Sequence, residues 1–406
     1  MAYGYSRTEV TPKAGMAAKI VPRAQNSHVS GLREALKSAT TGNYINLGAG
    51  TCNIAPDPRV LEAAREAFCY SQNSYAPLQG IEKLRNAIAQ HSAACHNLTL
   101  GQNEIAITCG ATGAFEAVCK SFIDPGDEVV MFEPFYQYHV RQVMERGGIP
   151  RYVPLQAPEW KFSQEQLSKL ISENTKFLVV TNPNNPTGKI FSRMELAAIA
   201  DVCKAAGIFI VADEVYEHTI CPEAHISIAS LPGMFEHTLT LSSASKTFFV
   251  TGWRIGWVTG PAEIVSLLAV KSDETYLCAP TPLQHAVAEC LEFEEEFFRN
   301  IALRFDQART QLCSSLKAAG FMPCSPQGAF YVLAEYHLLG YHDDLEAVKA
   351  ILDEFGIVTV PGNAFFEPRE HTGMVRFCFA VESDVLNNAC ERLMNVRGRV
   401  ERQLFR

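Results

Sequence analysis

Ser243-Ala244-Ser245-Lys246 closes an apolar run, Thr238-Leu239-Thr240-Leu241, and Thr251-Gly252-Trp253-Arg254-Ile255-Gly256-Trp257 follows shortly after. An amine flanked by small hydroxyls, with a guanidinium a short way on, is what a site needs to hold a phosphorylated aldehyde. Lys246 supplies the amine for a Schiff-base link, while Ser243, Ser245 and Arg254 receive the phosphate. Taken alone, the segment also fits a buried strand ending in a solvated lysine. Other segments of the same kind decide between the two readings.

Apolar runs end in chemically useful residues four times. Ile105 to Thr108 leads into Cys109-Gly110-Ala111-Thr112, Phe177 to Val180 into Thr181-Asn182-Pro183-Asn184-Asn185-Pro186-Thr187-Gly188, Ile208 to Ala212 into Asp213-Glu214-Val215-Tyr216, and Leu239 to Leu241 into Lys246. Each has a task if the aldehyde is pyridoxal 5′-phosphate. A carboxylate beside the pyridine nitrogen keeps it protonated, which suits Asp213, although a helix cap explains an aspartate there equally well. Tyr216 and Asn185 can donate to the ring's phenolate oxygen, and Asn185 also to a substrate carboxylate; a core aromatic and a turn residue are their plain alternatives. Gly110, Ala111 and Thr112, at a helix start, offer free N–H groups to a phosphate, though most such turns only join a strand to a helix. Tyr136, in Glu133-Pro134-Phe135-Tyr136, is favoured over Phe135 to stack on the ring. Arg376 stands within the apolar run Val375 to Phe379, where a guanidinium needs a partner. A substrate α-carboxylate would serve, as would an internal salt bridge.

These residues must be positioned by the elements between them. Near-continuous apolar runs at 104–108, 128–132, 176–180, 208–212, 238–241 and 255–259 read as strands covered on both faces. They alternate with stretches of helical length, one opened by the capping box Ser192-Arg193-Met194-Glu195 and closed by Gly207, another opened by Ser163. The expected fold class is α/β: a large domain with a mostly parallel sheet flanked by helices, and a smaller α+β domain. The expected boundaries are an arm over 1–22, a large domain over 50–285, and a small domain made of 23–49 with 286–406. The stretch 283–319 reads as one long helical run, and after it comes a smaller α+β region with strands at 329–333 and 374–379. Functional groups just beyond the carboxyl ends of strands are where such a fold puts its ligands.

Composition narrows the class. The chain has 406 residues, 47% hydrophobic and only 19% charged, enough to bury a large core. A net charge of −9 leaves no electrostatic footprint for nucleic acid or an anionic membrane. The 13 cysteines contain no Cys-x-x-Cys pair and do not resemble a secreted disulfide framework. Met1 to Arg7 lacks a signal-peptide core and no apolar run is long enough to span a bilayer, so the expectation is a cytoplasmic protein with no membrane or nucleic-acid partner. His218, Cys221 and His225, like His91, Cys95 and His96, have a faintly metal-like spacing. Neither set has an obvious completing partner, so chance spacing is the better reading of both, and no metal is expected.

Together these segments resemble the class I/II aminotransferases of pyridoxal-phosphate fold type I. The resemblance runs from Asn46-Leu47-Gly48-Ala49-Gly50 through Tyr75-Ala76-Pro77-Leu78-Gln79-Gly80 and the motifs above to Pro361-Gly362-Asn363-Ala364-Phe365 and Arg376. It implies pyridoxal 5′-phosphate as cofactor and Lys246 as both its anchor and the acid–base group at the substrate Cα. It further implies a homodimer in which Tyr75 reaches the phosphate of the neighbouring subunit, with Gly50 along the substrate and Phe365 near its side chain. The expected activity is transfer of an amino group from a neutral or aromatic L-amino acid to a 2-oxo acid by a ping-pong mechanism. The segments resemble the aromatic and kynurenine-like branch more than the aspartate branch, which needs a second cation; Lys271 and Arg33 are the candidates for one. A C–S β-lyase or an oxidase uses the same cofactor electronics and is the alternative. A non-enzymatic effector-binding module would need a basic helix-turn-helix ahead of the domain, and none is evident.

Overall fold

The computed structural model describes residues 44–50, 52–70, 73–220, 225–367 and 371–394. The arm over 1–22, Arg33 and Cys221 lie outside them. Strands in chain order are β1 (Ile45–Asn46), β2 (Ile105–Cys109), β3 (Glu128–Glu133), β4 (Ile149–Pro154), β5 (Thr175–Thr181), β6 (Phe209–Asp213), β7 (Thr238–Ser243), β8 (Ile255–Thr259), β9 (Met322–Pro323), β10 (Tyr331–Glu335), β11 (Ile357–Val358), β12 (Val360–Pro361) and β13 (Met374–Cys378).

Seven strands form the main sheet in the order β2-β8-β7-β6-β5-β3-β4. The ladders from β7 through to β4 are parallel, and β8 alone runs against both of its neighbours. Alternate residues on each strand enter opposite cores. Val130, Phe132, Leu178, Val180, Ile210 and Ala212 pack on one face, and Val129, Met131, Phe177, Val179, Val211 and Leu239 on the other. Burial on both faces is why these strands read as unbroken apolar runs. The expected mostly parallel α/β sheet is the observed one.

β4 was not foreseen. It is an edge strand, Ile149-Pro150-Arg151-Tyr152-Val153-Pro154, half exposed and carrying two prolines, so it lacks the signature of a central strand. The stretch 283–319 is also two helices rather than one. Thr281–Leu291 and Glu295–Ala318 are separated where Arg59 stacks on Phe293 and Phe297 and pairs with Glu294. Glu295 and Glu296 open the second helix, where carboxylates face the positive end of the helix dipole. The helix Arg193–Ala206 begins with the reciprocal Ser192–Glu195 capping box and ends at Gly207 in the left-handed region, as the sequence pattern implies.

A second sheet, β12-β13-β10-β9, is antiparallel, and β1 pairs with β11 in a short parallel ladder. Their core includes Tyr331, Phe377 and Phe379 and continues to Val215 and Tyr216 at the end of β6. The second sheet thus packs against the chemical end of the first. No helix among the described residues is long and apolar enough to cross a membrane.

Candidate active site

The carboxyl ends of β6 and β7 deliver Asp213 and the short helix Ala244–Thr247, which carries Lys246. The antiparallel β8 begins one residue after Arg254. A half-open cleft is lined by Ala111, Thr112, Tyr136, Asn185, Asp213, Tyr216, Ser243, Ser245, Lys246 and Arg254.

Lys246 Nζ donates to the Gly50 carbonyl at 2.8 Å. Burial lowers its pKa, and Cys52, Cys378 and Asp213 oppose that only in part, so the free amine is favoured more than in an exposed lysine. Asp213 is 5% exposed, with Oδ2 3.2 Å from His139 Nε2 and Oδ1 accepting from the Val215 N–H at 3.4 Å. Tyr216 Oη accepts from Asn185 Nδ2 at 3.3 Å and lies 3.2 Å from Tyr331 Oη. Desolvation holds the Tyr216 phenol well above its usual pKa, so it remains a hydrogen-bond donor at neutral pH.

Arg254 has a φ of 57°, a left-handed backbone that costs a non-glycine residue about 1–3 kcal/mol unless its surroundings fix it. Its guanidinium donates to the carbonyls of Thr251 at 3.0 Å and Cys109 at 3.2 Å. Gly110, itself at a φ of 71°, has no room for a side chain: a Cβ there would lie 2.4 Å from Arg254 Nη2. A Cβ on Gly256 would meet the Gly110 backbone at the same 2.4 Å. Two glycines thus let a guanidinium reach the amino end of the helix Gly110–Phe122.

Arg376 is 2% exposed and lies between two aromatic faces, with its guanidinium carbon 4.4 Å from the Tyr331 ring centroid and 4.7 Å from that of Phe365. Nη1 donates to Asn185 Oδ1 at 3.1 Å, Nη2 to the Gly48 carbonyl at 2.9 Å, and Nε has no partner. Among the described residues no carboxylate pairs with it. The internal salt bridge considered from the sequence is therefore not formed within them.

Tyr136 lines the cleft edge-on to His139, with ring centroids 5.1 Å apart, whereas Phe135 stacks on Tyr152. Tyr75 is 78% exposed and does not line the cleft. Lys271 does not reach the site either; it pairs with Glu274 on the helix Ala262–Tyr276 at 3.0 Å. Three functional neighbours escaped the sequence reading. His139 resembles any residue of a helix start, Tyr331 hides inside an apolar strand, and Gly48 contributes only a carbonyl. His139 falls three residues after Tyr136, a spacing that puts both on one helical face and could have flagged it.

The family profile described as aminotransferase class I and II matches residues 42–393. The chain belongs to the class I and II aminotransferases. It is 34% identical over 371 residues to a probable N-succinyldiaminopimelate aminotransferase of Mycobacterium tuberculosis, covering 87% of this chain and 93% of that protein. It is 31% identical over 396 residues to the kynurenine–oxoglutarate transaminase of Dictyostelium discoideum, covering 87% and 91%. The solved structure of an N-succinyldiaminopimelate aminotransferase from M. tuberculosis superposes with a TM-score of 0.88 at 32% identity, over 93% of this chain and all of that one. The fold is therefore that of the fold type I enzymes. The protein is an aminotransferase, and its relatives do not favour the lyase or oxidase reading.

Aminotransferases of this family depend on pyridoxal phosphate, and the residues present fit it. The cleft brings together a buried amine, a buried carboxylate held by histidine, a phenol and amide pair, and a guanidinium at a helix start. The missing Cβ atoms of Gly110 and Gly256 keep that last corner open.

Proposed function

We propose that this aminotransferase moves the amino group of a neutral or aromatic L-amino acid to a 2-oxo acid, with pyridoxal 5′-phosphate held by Lys246, in two half-reactions that share one site. The observation that carries the reading is Arg376, a buried cation with two aromatic faces, a spare N–H and no anionic partner among the described residues. Burying such a charge is costly unless an anion arrives. Donor and acceptor both bring an α-carboxylate, so one guanidinium can serve both halves.

When bound, the cofactor supplies an electron-withdrawing ring that makes the substrate Cα–H acidic. Lys246 anchors it and then carries the proton to and from Cα, a task suited to an amine whose pKa is lowered by burial. Asp213, fixed by His139, would hold the proton on the ring nitrogen. Tyr216 and Asn185 would donate to the ring oxygen, and Tyr136 would lie against the ring. Ser243, Ser245, Arg254 and the amides of Gly110, Ala111 and Thr112 receive the phosphate. Gly50 borders the substrate, which Phe365 approaches from the Arg376 side.

The neutral or aromatic donor is supported by the placement of Lys271 away from the cleft. A homodimer is supported by the exposure of Tyr75, which leaves its side chain free for the phosphate of a neighbouring subunit. The free thiols of the described residues suit a cytoplasmic location. A large domain over 50–285 and a small one over 286–406 with 23–49 are supported by the strands, since the main sheet's strands all fall in the first range and the second sheet's all fall in the second.

The deciding experiment is the absorbance spectrum of the purified protein before and after single amino acids are added anaerobically. A neutral or aromatic donor is expected to shift the bound-cofactor band without an acceptor and to yield its 2-oxo acid. Release of pyruvate and ammonia from a β-substituted alanine, with no lasting shift from any donor, would defeat the reading. Gly110→Ala is expected to weaken pyridoxal phosphate binding by about tenfold or more through strain at positive φ and displacement of Arg254. Titration of the cofactor-free protein measures this, and unchanged affinity would remove Arg254 from the phosphate site.

A further inference from the structure

Two histidine groups that looked incomplete in the sequence complete each other in space. His91, Cys95 and His96 lie on the helix Glu82–His96, and His218 follows Tyr216 in the 3₁₀ turn Glu217–Thr219. The turn sets His218 Nε2 3.0 Å from His91 Nε2, across 127 residues of sequence. The donor atoms of His91, Glu217 and His218 all lie within 4.8 Å of one another. We infer that these three side chains form a binding site for a divalent transition metal of the zinc class, distinct from the cofactor cleft.

The donor chemistry suits this ion. Two imidazoles and a carboxylate are a recurrent zinc set that leaves the fourth position to water. Ligands on a tetrahedral zinc at 2.0–2.1 Å stand about 3.4 Å apart. The two imidazole nitrogens are already near that spacing, and the carboxylate oxygen, within 4.8 Å of both, is the ligand that must draw closer. Two of the three ligands, His91 and Glu217, are also held by neighbouring groups, as metal ligands commonly are. His91 Nδ1 faces Cys95 Sγ at 3.9 Å. Glu217 Oε2 accepts from His96 Nε2 at 2.5 Å, and Oε1 accepts from Ser242 Oγ at 2.7 Å, leaving the carboxylate lone pairs to share with an ion. Phe298 packs against both ligand rings at 5.2 and 4.6 Å and shields them from solvent on one side. Without an ion, the two facing nitrogens can make only one hydrogen bond between them.

The site would clasp the helix Glu82–His96 to the turn that continues directly from Asp213 and Tyr216, and to Ser242 beside the lysine-bearing segment. Its effect is on stability rather than on chemistry. The test is equilibrium binding of zinc and of cobalt to the full-length holoenzyme, beside His91→Gln and His218→Gln variants. The expected result is about one high-affinity ion per chain, cobalt d–d bands of a four-coordinate centre, and a zinc-dependent rise in thermal midpoint. Both variants are expected to lose all three while keeping the bound-cofactor spectrum, which shows that they fold. His96→Gln, which removes the hydrogen bond to Glu217, is expected to weaken binding about 10- to 100-fold without abolishing it. Binding that is absent, or that persists equally in both variants through surface thiols, overturns the inference.

Discussion

Lys246→Ala is expected to reduce transamination by about 10⁴-fold or more while leaving a folded protein. The substitution removes the only lysine among the described residues that lines the cleft beside Asp213. It removes the covalent anchor and the proton carrier together, so the loss falls on kcat rather than on KM. Its structural cost is modest. The Gly50 carbonyl loses one donor, and a buried amine whose charged form burial disfavours is deleted. Thermal stability of the cofactor-free variant should therefore match or exceed that of the cofactor-free parent. Added pyridoxal phosphate is expected to bind reversibly to Asp213, Arg254 and the helix start, without the spectrum of a lysine adduct. Stopped-flow measurement of each half-reaction checks this, and a variant retaining even a hundredth of the parental rate would take Lys246 out of the proton path.

Why could the sequence reveal Lys246, Asp213 and Asn185 but not His139, Tyr331 or the histidine pair? The first three end apolar runs, and a buried parallel strand has an unmistakable run, so its end can be found to within a residue or two. Chemistry placed there is legible because the fold itself marks the spot. His139 acts through Asp213 from another element, and only the packing of the helix Gln137–Glu145 under the sheet brings their side chains together. Tyr331 has the sequence environment of any core residue; it meets the Arg376 guanidinium because β10 pairs with β13 and sets the two diagonally, on the same side of the sheet. The register that aligns Leu333 with Arg376 is set by long-range pairing, which no local pattern encodes. Lys271 failed as a distal-carboxylate ligand for the opposite reason: three residues ahead of Glu274 on a helix, it found a local partner. β4 was missed because an edge strand need not be apolar. The positive φ of Arg254 follows from a close approach between two strand ends that only the assembled sheet imposes.

Arg376→Lys is expected to lower kcat/KM for donor and acceptor alike, by about 30-fold at least and up to about 5,000-fold, corresponding to about 2–5 kcal/mol for one partner of a buried charge pair. Lysine keeps the charge, but its ammonium cannot lie flat between the Tyr331 and Phe365 rings or present two parallel N–H groups to a carboxylate. Nor can it reach Asn185 Oδ1 and the Gly48 carbonyl at once in the geometry of the guanidinium. The effect should appear mainly in KM, because the carboxylate is held in the ground state as well as in the transition state. Its symmetry is the sharper test. An arginine serving the α-carboxylate penalises every amino acid and every 2-oxo acid by a similar factor, and penalises amines that lack the carboxylate not at all. If only acidic donors suffer, Arg376 reads the distal group and the neutral-donor assignment falls with it. If neither half-reaction changes, the guanidinium is a core fixture held by its two aromatic faces, and the substrate carboxylate binds elsewhere.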